Sequence, residues 1–148
     1  MTVLTERIET TLPIDEAFAF VADFANAERW DPGVASSVRT DDAPLGVGSR
    51  YRLGVLMGGR VAPMDYQVTA FEPGRRVVLA GTGRGVRAID DIRFTPTETG
   101  TLIDYVADIR LVGVLRPAGP FAAGALARIG QAARDGMERA LARLAVAA

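Results

Sequence analysis

Cysteine and histidine are both absent from this chain of 148 residues. Their absence excludes disulfides, a thiolate nucleophile, zinc sites of the cysteine/histidine type and a serine–histidine triad. A catalytic proton would have to move through aspartate, glutamate, tyrosine or water. A metal would need ligands that are all oxygen, and no motif of spaced carboxylates supplies them. We therefore expect neither a metal nor a cofactor.

A dominant charge and long apolar runs are lacking as well. The net charge is −1 at pH 7 and the arginines are scattered among acids, whereas nucleic acids require clustered positive charge. The sequence has no run of about 18 apolar residues, which is the length that a membrane-spanning helix needs. The first strand-like segment carries Glu6, Arg7 and Glu9, which do not belong in a signal-peptide core. We expect a cytoplasmic protein, monomeric or homodimeric, that binds no nucleic acid.

The composition itself is that of a globular protein, with 49% hydrophobic and 24% charged residues. A chain of this length is of common size for one domain and is long enough to bury a sizeable core. No internal repeat, low-complexity tract or linker divides it. The expectation is a single domain over residues 1–148.

Turn residues divide the middle of the chain into short segments with alternating apolar residues, which is the pattern of strands. Their short connections favour antiparallel pairing, because parallel pairing needs a long crossover. Pro13 suits the first turn of a helix, and a second short helical turn is expected from Ala25 to Arg29. Strands are predicted at residues 3–11, 34–40, 49–57, 62–72, 75–83, 86–95 and 101–112.

The last predicted element is an amphipathic helix between Pro120 and Val146. Its polar side includes Arg128, Arg134 and Glu138. Small residues dominate its apolar stripe, and this has two interpretations: they let the sheet approach closely, or they leave volume for a ligand. The apolar positions recur at helical spacing: Ala122, Leu126, Ile129, Ala133, Met137, Ala140 and Leu144.

Three segments resemble the START-like, or helix-grip, superfamily, and in particular its bacterial polyketide cyclase/dehydrase-like (SRPBCC) branch. Leu12–Phe18 is similar to the family's entry into its first helix. Asp23–Val34 is similar to its Asp…Asn…Trp-x-Pro segment, and Gly100–Tyr105 to the Gly-Thr hairpin before its last strand. The chain departs from the family at Ala17, where a bulkier aliphatic residue is usual, and at Leu12, where a small residue is usual.

This resemblance implies an α+β fold of the helix-grip type. A curved antiparallel sheet of about seven strands would wrap around the long C-terminal helix, with two short helices after the first strand. A cavity for a small hydrophobic molecule would lie between the sheet and the helix. The family has no shared catalytic signature, so the resemblance implies a class of ligand without implying a reaction.

Alternation along the strands predicts which side chains line this cavity, because only one face of the sheet is buried by the helix. Trp30 is interpreted as a packing residue under the edge of the sheet, with a place at the cavity mouth as the alternative. The catalytic residues are unknown, with Asp90 and Tyr105 as candidates. Ligand contacts are predicted for Tyr51, Met57, Met64, Tyr66, Asp90, Tyr105, Leu126, Ile129 and Ala133.

Asp90 is the unusual member of this set. Phe94 and Ile92 point inward, so Asp90 does too, while its neighbour Asp91 points outward. An inward carboxylate in an apolar wall has a raised pKa and is within reach of Tyr105 on the next strand. Three interpretations remain open: a hydrated structural group, a ligand contact or a catalytic acid or base.

On the outer face, ion pairs are expected across the last hairpin. Arg87 and Arg93 would pair with Asp104 and Asp108 there.

Three functions follow from these predictions. The first is binding of a small hydrophobic or aromatic, polyketide-like or lipid-like molecule. The second is a cyclase or dehydratase that acts on such a molecule through Asp90 and tyrosines. The third is a protein-interaction module with a collapsed cavity.

Overall fold

A curled antiparallel sheet forms most of the molecule. The computed structural model describes residues 2–147, apart from the side chains of residues 120 and 121. Over this range seven strands lie in the order β1-β7-β6-β5-β4-β3-β2, and each begins and ends within two residues of its predicted bounds. They are β1 (Thr2–Thr10), β2 (Val34–Arg39), β3 (Arg50–Met57), β4 (Arg60–Glu72), β5 (Arg76–Gly83), β6 (Val86–Pro96) and β7 (Thr101–Leu111).

Short helices follow β1, and one long helix ends the chain. The helices are α1 (Ile14–Val21), α2 (Ala27–Trp30) and α3 (Gly119–Ala147), with 3₁₀ turns at Phe24–Asn26 and Gly113–Ala118. The fold class is therefore the predicted one. Within the described residues no helix is both long and apolar enough to cross a membrane.

The first and last strands meet as neighbours, which closes one side of the sheet. Ile8 lies opposite Ile103 in the β1–β7 pairing, and the Thr101 hydroxyl donates a hydrogen bond of 2.9 Å to the Leu12 carbonyl oxygen. Gly100 permits the close approach of the β6–β7 turn to the end of β1, because a Cβ atom there would lie 2.0 Å from the Thr10 carbonyl oxygen. The Gly-Thr hairpin thus locks β7 onto β1.

Helix α3 lies across the concave side and bridges the two edges of the sheet. It packs against β1 at one edge and against α2, which itself packs on β2 at the other edge. Two glycines allow the close approach: a Cβ atom on Gly130 would lie 3.2 Å from the Leu4 side chain, and one on Gly136 only 2.0 Å from the Trp30 carbonyl oxygen. Ala133, between them, faces a cavity. The small residues therefore allow close approach at two positions and border open volume at a third.

The concave face is packed solid in one half and open in the other. In the solid half, the Phe18 ring of α1 packs edge-on against Phe71 and Phe94, with ring centroids 5.3 and 5.0 Å apart. Along β6 the buried side chains pass from this core, at Phe94 and Ile92, to the cavity wall, at Asp90. The end of the sheet away from α1 is therefore where a ligand has room.

On the outer face, the expected pairs of Arg87 and Arg93 with Asp104 and Asp108 were wrong. Asp104 instead pairs with Arg7 at 3.0 Å, because β1 is the second neighbour of β7 and brings that arginine directly opposite. Arg93 lies 3.6 Å from Asp91. Arg87 donates to the main-chain oxygens of its own hairpin.

Candidate functional site

A cavity of about 180 Å³ lies between the open half of the sheet and α3. Its wall is mostly apolar. At its mouth Leu56, Met57 and Ile129 are 45%, 37% and 47% exposed, although all three line the cavity. The half-exposed apolar side chains thus mark an entrance between the β3–β4 hairpin and the helix.

Eight of the nine predicted ligand contacts lie in the wall of this one cavity. They come from four strands on the sheet side and from α3 on the other. They are Met57, Met64, Tyr66, Asp90, Tyr105, Leu126, Ile129 and Ala133. Their role in binding stays a prediction, but the structure brings them together.

Tyr51 is the predicted residue that the structure places elsewhere. It lies opposite Tyr66 on the neighbouring strand and is fully buried, but it is outside the cavity lining. The Phe24 ring explains the difference, because it packs within 6.3 Å of the Tyr51 ring and 5.4 Å of the Tyr66 ring and itself lines the cavity. The Tyr51 hydroxyl has no partner within hydrogen-bond distance among the described residues; burial and the nearby Asp23 carboxylate raise its pKa.

Asp90 lies on the concave face, as the alternation predicts. It is 7% exposed and accepts a hydrogen bond from the Tyr105 hydroxyl. The pKa of the Asp90 carboxyl is raised to about 6: burial is the largest cause, the Tyr105 hydrogen bond opposes it, and the nearby Asp31 carboxylate adds to the rise. The group therefore changes charge close to neutral pH, unlike an exposed aspartate.

The tyrosines beside Asp90 are held in their neutral form. Burial, followed by the charge of Asp90, raises the pKa of both Tyr66 and Tyr105 well above 10. Tyr66 owes its position to Gly81, because a Cβ atom there would lie 2.6 Å from the tyrosine ring. The cavity thus presents phenol hydroxyls that donate hydrogen bonds but do not ionise at neutral pH.

Sequence reasoning missed a second cavity carboxylate, Asp31. It follows α2 and lines the cavity, with its Oδ1 accepting a 2.8 Å hydrogen bond from the Gly33 amide. Burial raises the pKa of Asp31, and the Gly33 hydrogen bond partly offsets the effect. The Asp31-Pro32-Gly33 sequence could have indicated it. An aspartate at this position accepts a hydrogen bond from the backbone two residues later, which fixes the direction of its side chain beside Trp30.

Trp30 is both a packing residue and part of the cavity wall. It is 4% exposed, and its ring meets the edges of Phe24 and Tyr105 at centroid distances of 6.1 and 6.0 Å. Its Nε1 is buried and has no hydrogen-bond partner among the described residues. With Tyr66, these rings form a continuous aromatic wall near Asp90.

Arg134, which the helical pattern places on the polar face of α3, also lines the cavity. It lies 3.7 Å from Glu6 of β1, which is a further lining residue, and 2.9 and 3.4 Å from Asp135 and Glu138. The alternation of Leu4, Glu6 and Ile8 would have indicated Glu6. Arg134 had no such signal, because its environment depends on how the helix docks against β1.

A curled sheet whose edges are bridged by a C-terminal helix, with a cavity enclosed between them, defines the helix-grip class of START-like proteins. The comparison with family models places the chain within this class. Residues 1–148 match the family described as polyketide cyclase/dehydrase and lipid transport, and the chain belongs to that family. The comparison with curated proteins finds no match.

Solved structures of low sequence identity share the fold. A protein from Thermus thermophilus is 14% identical over 99% of both chains, with a TM-score of 0.79. An aromatase/cyclase from a Streptomyces species is 13% identical over 94% of this chain and 90% of that one, with a TM-score of 0.74. A START superfamily protein from Mycobacterium smegmatis is 15% identical over 94% and 93%, with a TM-score of 0.69. At these identities the likeness concerns the fold alone.

Proposed function

We propose that the cavity binds a small hydrophobic or aromatic molecule of polyketide-like or lipid-like character. The observation that carries this proposal is the open, mostly apolar cavity of about 180 Å³ between the sheet and α3. Burying apolar ligand surface in such a wall is favourable by roughly 25 cal/mol per Å². The family description, which includes lipid transport, supports the same class of ligand. The alternative of an interaction module loses support, because it depends on a collapsed cavity.

Filling the cavity tests this function. Ala133 lines it, whereas Ala132, the preceding residue of α3, is exposed and outside the lining. Prodan, a neutral naphthyl ketone whose emission reports polarity, serves as the probe. Ala133→Phe should weaken prodan binding by about tenfold or more, since the ring takes up ligand volume, and Ala132→Phe should leave it unchanged. Circular dichroism and thermal melts establish that both variants are folded.

The proposal fails if the wild-type protein does not bind prodan, or if the two variants bind it equally. Native mass spectrometry of protein purified from its own host complements this test. A co-purified small molecule in the wild type that is missing from Ala133→Phe identifies the ligand directly.

A second candidate function is a cyclase or dehydratase, and one observation favours it. Asp90 is buried against a phenol hydroxyl, with a pKa of about 6, which suits a general acid or base working near neutral pH. The aromatase/cyclase from Streptomyces shares the fold. Tyr105 would then orient the Asp90 carboxyl and donate a hydrogen bond to it.

Turnover of a poly-β-ketone analogue separates catalysis from binding. Asp90→Asn keeps the shape of the side chain but cannot act as an acid or a base near neutral pH, so it should abolish turnover while prodan binding persists. Asp91→Asn, on the outer face, is the matched control and should retain turnover. Equal turnover in the two variants would exclude Asp90 as the catalytic group, and no turnover in the wild type would leave binding as the function.

A further inference from the structure

The charge on the cavity wall is unbalanced at the end that holds the aromatic rings. The ionisable acids and bases among the lining residues are Glu6, Asp31, Asp90 and Arg134, three acids and one base, with a net charge of −2 when all are ionised. A purely apolar ligand would remove water from these carboxylates without supplying a positive charge to pair with them. Burying an unpaired charge costs free energy. The wall therefore favours a ligand that carries the opposite charge.

The lining arginine does not supply that charge to the two aspartates. Its guanidinium lies within 3.7 Å of Glu6, 2.9 Å of Asp135 and 3.4 Å of Glu138, so three carboxylates already share it. In the part of the chain that the structure describes, no ion pair reaches Asp31 or Asp90. Their hydrogen bonds come from neutral donors, the Gly33 amide and the Tyr105 hydroxyl.

Asp90 has room for one more partner. Its Oδ2 accepts the hydrogen bond from Tyr105, while its Oδ1 accepts none from the described residues. The side chain is more than nine-tenths buried and faces the cavity. A donor on a ligand would complete the coordination of this carboxylate.

Aromatic rings surround the same region. Tyr66 and Phe24 lie 5.4 Å apart, Phe24 and Trp30 6.1 Å, and Trp30 and Tyr105 6.0 Å, centroid to centroid, and all four line the cavity. The faces of aromatic rings attract cations, and an aromatic wall combined with carboxylates is the arrangement that recognises ammonium groups. A carboxylate on the ligand would meet repulsion here.

We propose that the ligand is an apolar molecule carrying a protonated amine, whose ammonium group binds Asp90 and Asp31 beside the rings of Trp30, Tyr66 and Tyr105. The inference rests on the proposed function, because it assumes that the cavity binds a small apolar molecule. The inference adds the charge of the ligand and its orientation in the cavity. The ammonium group lies at the inner end, and the apolar part lies at the entrance near Ile129.

The pH dependence follows from the groups that face the site. Asp90 and Asp31 gain charge as the pH rises, and the pKa of Asp90 is about 6. Tyr66 and Tyr105 stay neutral because burial raises their pKa, while Glu6 and Arg134 are paired with each other. Aliphatic amines stay protonated up to a pH of about 10. Binding of an amine should therefore tighten as the pH rises from about 5 to about 7.5.

Calorimetry with three matched probes tests the inference. They are naphthylethylamine, naphthylethanol and the carboxylate of naphthylacetic acid, all with the same ring attachment. Near pH 7.5 the amine should bind at least about tenfold more tightly than the alcohol, and the alcohol more tightly than the carboxylate. The advantage of the amine over the alcohol should shrink near pH 5. It should fall by about tenfold in Asp90→Asn and persist in Asp91→Asn, the outer-face control.

The possible outcomes separate the two proposals. If the alcohol or the carboxylate binds at least as tightly as the amine, the inference is wrong while the proposed function stands. An amine preference that survives in Asp90→Asn and in Asp31→Asn also overturns it. If none of the three probes binds and prodan does not bind either, the proposed function fails and the inference fails with it.

Discussion

The Tyr105 hydroxyl donates a hydrogen bond to the Asp90 carboxylate across the β6–β7 pair. Asp90 lies directly opposite Ala107 in this pairing, so Tyr105 reaches it diagonally, a distance that long aromatic side chains can span. The small Ala107 side chain leaves the space above Asp90 to the cavity. The Tyr105–Asp90 hydrogen bond thus holds an acid with a raised pKa at the boundary between the solid core and the cavity.

Replacing Asp90 by asparagine should stabilise the protein at neutral pH. The folded state raises the pKa of Asp90 from 3.8 to about 6, so its favourable contribution is present below the unfolded pKa and is lost as the pH rises between these values. The loss is of the order of 3 kcal/mol. Because asparagine has no charge to desolvate, the free energy of unfolding of Asp90→Asn should fall less than that of the wild type from about pH 4 to about pH 7, measured by urea denaturation.

Asp91→Asn is the control with the opposite sign. Arg76, 2.8 Å from Asp91, lowers the pKa of Asp91, so the stabilisation is present above the unfolded pKa and is lost as the pH falls. Asp91→Asn should therefore be less stable than the wild type at neutral pH, and this deficit should disappear in acid. Parallel curves for Asp90→Asn and the wild type would contradict the burial of a titrating Asp90.

Removing the Tyr105 hydroxyl should raise the pKa of Asp90 further. The Tyr105 hydrogen bond lowers that pKa, and phenylalanine takes the bond away while keeping the ring. In Tyr105→Phe the Asp90 carboxyl should titrate above about pH 6, followed by ¹³C NMR of the side-chain carboxyl carbon. Tyr66→Phe is the matched control, because the Asp90 carboxylate takes its hydrogen bond from Tyr105. A Tyr105→Phe titration identical to the wild-type one would show that the bond does not exist in solution.

Adding a methyl group at two glycines of α3 should have opposite effects. Gly136→Ala would bring Cβ to 2.0 Å from the Trp30 carbonyl oxygen, so the helix must shift and stability should fall by about 1–3 kcal/mol. Gly124→Ala meets nothing within 4 Å and should stabilise by roughly 0.5–1 kcal/mol through helix propensity. Thermal unfolding measures both. A stabilising Gly136→Ala would mean that α3 does not dock against the end of α2.

Gly81→Ala should disturb the cavity through Tyr66. The added Cβ would lie 2.6 Å from the Tyr66 ring, which then has to move towards the cavity and reduce its volume. Prodan binding should weaken severalfold, and stability should fall by about 1–3 kcal/mol. Gly46→Ala, with nothing within 4 Å, should bind prodan as the wild type does. Unchanged binding by Gly81→Ala would place Tyr66 outside the ligand site.

The sequence carried enough information for the strands, the long helix and the inward direction of Asp90. These features are local: turn residues end the strands, and side chains alternate with a period of two, so the apolar positions of Ile92 and Phe94 decide the face of Asp90. The same parity identified Met64, Tyr66 and Tyr105 as inward side chains.

Only the tertiary structure decided which inward side chains reach the cavity and which are covered. Tyr51 satisfies the alternation, but the Phe24 ring packs against it, and Phe24 rather than Tyr51 lines the cavity. Asp31 and Arg134 line the cavity because the docking of α2 and α3 places them there. Alternation predicts which face of a strand a side chain lies on. The element that covers this face comes from residues far away in the chain, so a local sequence pattern does not predict how it packs.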